Sequence, residues 1–398
     1  MSVQQIKQLK SELSTELESI LNYWSTHTVD NENGGFIGQI DFHDHIIANT
    51  EKGAVLNARI LWTFSSGYKV TKNESHKKIA ERAFEFLSNN FYDAEFGGLF
   101  WSINADKTPK DTKNQIYALA FAIYGLSEYY TISNDDKALA IAINLYLKIQ
   151  KHSYDPINKG YFEALTRDWQ PIDDLRLSDK DANEKKTMNT HLHIVEAYAN
   201  LFKVWKDKEL QSNIIELLQI IETHFINTHT GHLRLFFDEN WIEKPDVISY
   251  GHDIEAAWLL LQCAEITEDE NLIANYKKYA IQMAEVTKEG LDYDGGLWYE
   301  FDPEKNELVA EKHWWVQAEA LIGFYNAYQL TGNEDYLQIV LKNWEFIKKH
   351  ILDKQNGEWF WGINKDNSLI EKDKAGFWKC PYHNSRACLE LIDRIKTE

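Results

Sequence analysis

The sequence of 398 residues sets 42 Lys and Arg against 62 Asp and Glu, a formal charge of −20, and 44% of it is apolar, with 14 Trp, 20 Tyr and 19 Phe. So much apolar and aromatic side chain excludes a disordered or low-complexity protein, and so negative a field excludes partners that present phosphate backbones or anionic lipid surfaces. No apolar run approaches the ~18–20 residues that would span a bilayer. Cys263, Cys380 and Cys388 are too few and too scattered for a disulfide framework or a four-thiolate metal site. Residues 1–7 are polar where an export signal needs an apolar stretch. These features read as a cytoplasmic protein with no nucleic-acid or membrane partner.

Six prolines and long segments of 3.6-residue period predict a mostly helical chain. A punctuation mark recurs along it: Asp or Asn, a few polar residues, usually Gly, then an apolar or aromatic residue. In chain order the marks are residues 30–36, 93–99, 155–161, 227–233, 292–297 and 353–359. Their apolar positions, Phe36, Leu99, Tyr161, Leu233, Leu297 and Trp359, are separated by 63, 62, 72, 64 and 62 residues. Each period holds one helical pattern before the mark (74–90, 335–350) and one after it (115–130, 313–330), and the mark with its alternating apolar run reads as a short β-hairpin. Six helical hairpins, one helix of each apolar nearly all round, predict an all-α (α/α)6 barrel rather than an open solenoid. Residues 1–398 are read as one such domain, acting as a monomer.

The helix after each mark is expected to be the inner one, and its start is loaded with polar and aromatic residues. These are Asn57 and Arg59; Asn114, Gln115 and Tyr117; Asn189, His191 and His193; Tyr250, His252, Asp253 and Glu255; His313, Trp314, Trp315, Gln317 and Glu319; and His383, Asn384 and Arg386. Parallel inner helices bring all six starts to one mouth, so a polar, aromatic pocket follows from the repeat. Indole faces among Asn, Gln, Glu, Arg and Tyr suit a sugar. His193, His252 and His383, on three different helices, suggest acid/base work. His191 and His193 are two apart on a helix and point about 200° apart, so they do not chelate one ion, and His191 reads as a supporting hydrogen-bonding group. Glu255 follows His252 by three residues and is expected beside it; Glu319 shares a face with Trp315 and is counted among the sugar contacts. No dinucleotide-binding or phosphate-loop motif is present. Neither metal nor cofactor is expected.

Residues 189–198, 249–256, 313–320 and 377–386 resemble the N-acylglucosamine 2-epimerase superfamily, and the resemblance runs over essentially the whole chain. It implies the (α/α)6 fold and reversible epimerisation at C2 of the reducing-end glucose of β-1,4-linked disaccharides, cellobiose to glucosyl-mannose and lactose to epilactose. It also implies that His252 and His383 are the general acid/base pair, with His193 a third histidine. Sugar contacts fall on Arg59, Tyr117, Asn189, Glu255, Trp315 and Trp378, and Asp181 falls near the non-reducing sugar. Val316 stands where proline after the Trp pair would be common.

The chemistry can be stated independently. The pyranose opens, the aldehyde acidifies the C2 proton, one base removes it, and inversion returns a proton to the opposite face of the enediolate. His383 is expected to assist ring opening and serve one face, His252 the other, with His193 and Arg59 stabilising the oxyanion. A proton delivered to C1 instead gives a ketose, so an aldose–ketose isomerase on mannose or glucose is the alternative. A glycoside hydrolase needs two carboxylates across the bond, and Asp253 and Glu255 point apart. A noncatalytic sugar binder has no use for three histidines.

Overall fold

The computed structural model describes residues 3–178, 180–245 and 247–396. Among them twelve α-helices run as six outer–inner pairs. These are α1 (Val3–His27) with α2 (Ala54–Thr71), α3 (Glu74–Phe86) with α4 (Ile116–Ser133), and α5 (Asp136–His152) with α6 (Met188–Val204). Then come α7 (Lys208–Ile220) with α8 (Tyr250–Thr267), α9 (Glu270–Thr287) with α10 (Trp314–Thr331), and α11 (Glu334–Phe346) with α12 (Tyr382–Arg394). Each inner helix packs on the next, and α12 packs back on α2, which closes the ring. The architecture is the (α/α)6 barrel that the repeat predicts. No described helix is long and apolar enough to cross a membrane.

The two rings begin differently, for a local reason. Outer helices α3, α5, α7, α9 and α11 are capped by Asn73, Asp135, Asp207, Asp269 and Asn333, whose side chains accept from backbone N–H groups of the first turn. Among the inner helices only α6 has such a cap, Thr187. Inner helices are instead buried on every face: in α4 all residues from Ile116 to Tyr129 are buried. The helical patterns at 74–90 and 335–350 end in widened π-turns, Leu87–Phe91 and Ile347–Ile351, which turn Phe91 and Ile351 into the core.

All six marks are bridged antiparallel, as hairpins: Val29 to Phe36, Tyr92–Asp93 to Gly98–Leu99, Tyr154 to Tyr161, Ile226 to Leu233, Leu291 to Leu297 and Leu352 to Trp359. The alternating runs after them do more than extend the hairpins. Each pairs with the short strand leading into the preceding inner helix, Ser102–Ile103 with Lys52–Gly53 and Gly362–Asn364 with Glu311–His313. Ile40 with Ala375 completes this belt between the first and last repeats. Lysines in the belt fasten the marks. Lys52 and Lys186, each two residues before an inner helix, reach Asp30 (2.7 Å) and Asp155 (2.8 Å), and Lys374 reaches Asp353. Lys312 does the same with Asp292 at 2.6 Å. The fourth mark carries neutral Asn227, and there the corresponding residue is Ile248.

Candidate active site

The polar starts of the inner helices divide into two sets. One set ties down the marks. The backbone N–H of Tyr161 donates to Nε2 of His191 (2.9 Å), that of Leu233 to Asp253 (2.8 Å) and that of Leu297 to Gln317 (2.8 Å), each acceptor being the fourth residue of its helix. Nδ1 of His191 bonds the carbonyl of Thr187 at 2.7 Å, and burial lowers its pKa to about 3. His191 therefore has the supporting role its spacing implies. Asp253 is turned away to His232 (2.7 Å) and offers the cavity no carboxylate.

The other set lines a cavity of about 660 Å³ at the mouth of the ring. Arg59, Tyr117, Asp181, Asn189, His193, His252, Glu255, Trp315, Trp378 and His383 are all on its wall. Glu319, expected among the sugar contacts, is not: it is fully buried and holds His383 from below the cavity wall. The helix period puts Trp315 and Glu319 on one face, but that face runs from the cavity into the floor. The loop 175–186, which accounts for the longer third interval, reaches the cavity through Leu177, Ser178, Lys180 and Asp181. Oδ2 of Asp181 accepts from the backbone N–H (2.9 Å) and hydroxyl (2.7 Å) of Ser178. Tyr299, Trp361 and Phe377 also line the wall and were not anticipated; they belong to belt and loop segments outside the helix starts.

The three histidines are held alike. Nδ1 of His193 bonds Glu196 (2.8 Å), Nδ1 of His383 bonds Glu319 (2.6 Å) and Nδ1 of His252 bonds the hydroxyl of Ser249 (2.8 Å). Among the described residues none of their Nε2 atoms has a protein hydrogen-bond partner. A carboxylate accepts only, so Glu319 and Glu196 fix Nδ1–H tautomers and leave Nε2 with its lone pair. Burial lowers the pKa of His252, against the pull of Glu255, and lowers that of His383 well below the ordinary value. Both rings pack against Trp315, whose ring centre is 4.9 Å from that of His252 and 5.6 Å from that of His383.

Glu255 stands close enough to His252 to pull its pKa up against burial, as its spacing suggests, while its own hydrogen bond goes to Arg386. The Arg386 guanidinium also takes Glu196 (2.6 Å) and Glu319 (2.6 Å), so three carboxylates from α6, α8 and α10 meet on one cation from α12. Burial works to raise Glu196, but Arg386 and His193 hold it at about 2. Glu196 and Arg386 were missed as site residues, although a signal exists. His193 with Glu196, His252 with Glu255 and His383 with Arg386 share the same i,i+3 spacing. Glu255, Glu319 and His383 offer ligand atoms within 4.8 Å of one another, close enough for a metal ion. Arg386 Nη2, bonded to both carboxylates, supplies the positive charge there.

Across the cavity Arg59 donates from Nη2 to the Tyr117 hydroxyl (2.8 Å) and lies over the rings of Phe121 (4.0 Å) and Tyr382 (4.8 Å). Arg59 Nε, Asn189 Oδ1, Trp314 Nε1 and Trp361 Nε1 are buried without partners, all on residues that line the cavity. Orphaned donors and acceptors beside indole faces are what a polyhydroxylated ligand satisfies.

Residues 35–387 match the family model of N-acylglucosamine 2-epimerase (GlcNAc 2-epimerase). A cellobiose 2-epimerase of Bacteroides fragilis is 49% identical over 386 residues, covering 96% of this chain and 98% of its own. The structure of cellobiose 2-epimerase from Bacillus thermoamylovorans superposes with a TM-score of 0.94 at 35% identity, covering 98% and 100% of the two chains. A D-mannose isomerase of Marinomonas mediterranea is 24% identical over 97% of this chain and 98% of its own.

Proposed function

Because the chain belongs to the N-acylglucosamine 2-epimerase family and is an isomerase-class carbohydrate epimerase, we propose that it inverts C2 of the reducing-end glucose of β-1,4-linked disaccharides, cellobiose to glucosyl-mannose and lactose to epilactose. The whole chain acts as one catalytic domain and as a cytoplasmic monomer. The observation that carries the reading is the pair His252 and His383, both packed against Trp315 on the cavity wall and each anchored at Nδ1 with Nε2 open.

The reducing-end sugar stacks on Trp315 and Trp378, leaving its hydroxyls for Asn189 and Glu255. Asp181 on the 175–186 loop meets the far sugar. His383 assists opening of the pyranose as a shuttle: its open Nε2 takes the C1 hydroxyl proton as the C1–O5 bond breaks, and the imidazolium so formed gives that proton to the departing ring oxygen, leaving His383 neutral and the sugar an open-chain aldehyde. One imidazole then takes the C2 proton at Nε2, and the C2–H electron pair becomes the enediolate double bond as charge moves onto the C1 oxygen. Arg59, which has no carboxylate partner among the described residues, and His193 stabilise that charge. The imidazole on the other face takes a proton from solvent at Nε2 and delivers it to C2 as the enediolate collapses, the first imidazole gives its proton to solvent, and ring closure gives the epimer.

Proton NMR of cellobiose incubated with the enzyme in D2O tests this. Deuterium at C2 together with glucosyl-mannose is the expected result. Unchanged cellobiose while mannose yields fructose would overturn it in favour of an aldose–ketose isomerase.

A further inference from the structure

The floor of the cavity holds more charge than the proton transfers themselves require. His193 on α6 and His383 on α12 lean on different carboxylates, Glu196 and Glu319, and both carboxylates lean on Arg386. Glu255 on α8 is the third. All four charged groups are buried, with Arg386 fully so. Around Arg386 the other neighbours are the Tyr382 hydroxyl and the Trp258 ring, 4.9 Å away. Facing His383 are Glu319 and Trp315 from α10, Glu255 from α8, Arg59 from α2, His193 from α6 and Arg386 from its own helix. Facing His193 are Glu196 on its own helix and Tyr117 and Phe121 from α4.

Glu319 accepts from Trp258 on one oxygen (3.0 Å) and from Arg386 and His383 on the other. Burial raises the pKa of Glu319, and the donors Arg386 and Trp258 oppose that rise by favouring its carboxylate form. Three carboxylates left to themselves would draw protons onto the histidines and destroy their use as bases. We propose that Arg386 is a positioning residue: it orients the carboxylates that anchor His193 and His383, and its charge offsets them so that Nε2 stays free to accept a proton. It touches no substrate and acts wholly through Glu196, Glu255 and Glu319. When Nε2 of His383 gains a proton, the new charge is met by Glu319, whose bonds to Arg386 and Trp258 stay in place; when the proton leaves, Arg386 remains as the counter-charge.

This inference rests on the proton-transfer reading above, and the tests separate the two. The pH profile of kcat/KM for cellobiose is measured for the wild type, Arg386→Gln, Arg386→Lys and Glu319→Gln, with thermal melts to establish folding. Arg386→Gln leaves the carboxylates unopposed, so the acidic limb is expected to move up by about one pH unit or more. Glu319→Gln removes an anionic partner, so the limb moves down by about the same amount. Arg386→Lys keeps the charge without the planar fork, so the limb stays and kcat falls. A purely structural Arg386 would lower activity equally at every pH, and limbs that stay put or move in one direction overturn the proposal. If Arg386→Gln does not fold, the downward shift of Glu319→Gln and the unmoved limb of Arg386→Lys decide it. Titration of the His383 ring by NMR, its signal assigned by loss in His383→Asn, gives the same signs without turnover. An inactive wild type would therefore refute the function while the titration still decides the role of Arg386.

Discussion

Nη2 of Arg59 donates to the hydroxyl of Tyr117 at 2.8 Å, and among the described residues no carboxylate pairs with this buried guanidinium. An unneutralised cation costs free energy in such a place unless charge of the opposite sign develops beside it. Arg59→Met is expected to lower kcat by roughly 100- to 1,000-fold with little change in KM, the cost of losing one oxyanion donor. Steady-state kinetics on cellobiose checks it, and an effect confined to KM would refute the oxyanion role.

Gly251 precedes His252 and lies against Trp315. A methyl group there would fall 2.7 Å from Cζ3 of Trp315 and 2.9 Å from Cγ2 of Val316, so the indole must move. Gly251→Ala is expected to keep the fold and lower kcat/KM by about tenfold or more, since small misplacements of a sugar platform are costly. Unchanged kinetics would show that Trp315 does not orient the substrate.

His191 titrates on folding rather than in catalysis. Its folded pKa is about 3, below the ordinary value of 6.5, so the unfolded chain binds the extra proton between these pH values. Stability from this group is full above about pH 6.5 and is lost as pH falls toward 3. Wild type is therefore expected to lose on the order of a few kcal/mol over that window, and His191→Asn to lose less. Denaturant melts at pH 7 and pH 4 measure the difference, and parallel losses in both proteins would sink the assignment.

The turn ion pairs give a test written into the repeat. Lys186→Ile leaves buried Asp155 without its cation and is expected to cost about 3–5 kcal/mol. The double change Lys186→Ile with Asp155→Asn reproduces the pairing of Ile248 with Asn227 in the fourth repeat, and should cost less than Lys186→Ile alone. Chemical denaturation of the wild type, both single variants and the double variant decides it, and simple additivity would mean the two residues are independent.

Much of this molecule is legible in its sequence because the repeat is. Glycine-bearing turns and a fixed interval specify six hairpins, and the ring brings Arg59, Tyr117, His193, His252 and His383 to one wall. The sequence misleads where two jobs share one helical turn. His191, Asp253 and Gln317 look as chemical as His193, yet they hold turns. Glu319 shares a face with Trp315 but lies a turn deeper, and depth along an inner helix carries no mark in composition. Glu196 and Arg386 come together only across the ring, 190 residues apart, a contact no local pattern encodes.

Arg386 sits on the last inner helix, and the carboxylates it gathers come from helices far earlier in the chain. Until α12 docks between α10 and α2, those carboxylates have no counter-ion and His383 does not yet stand beside Trp315. The cation that neutralises the floor and the histidine beside Trp315 are thus carried on one helix. A ring of the other five hairpins alone would gather three carboxylates on a floor without its guanidinium, so the charge that serves the chemistry also favours the docking of α12.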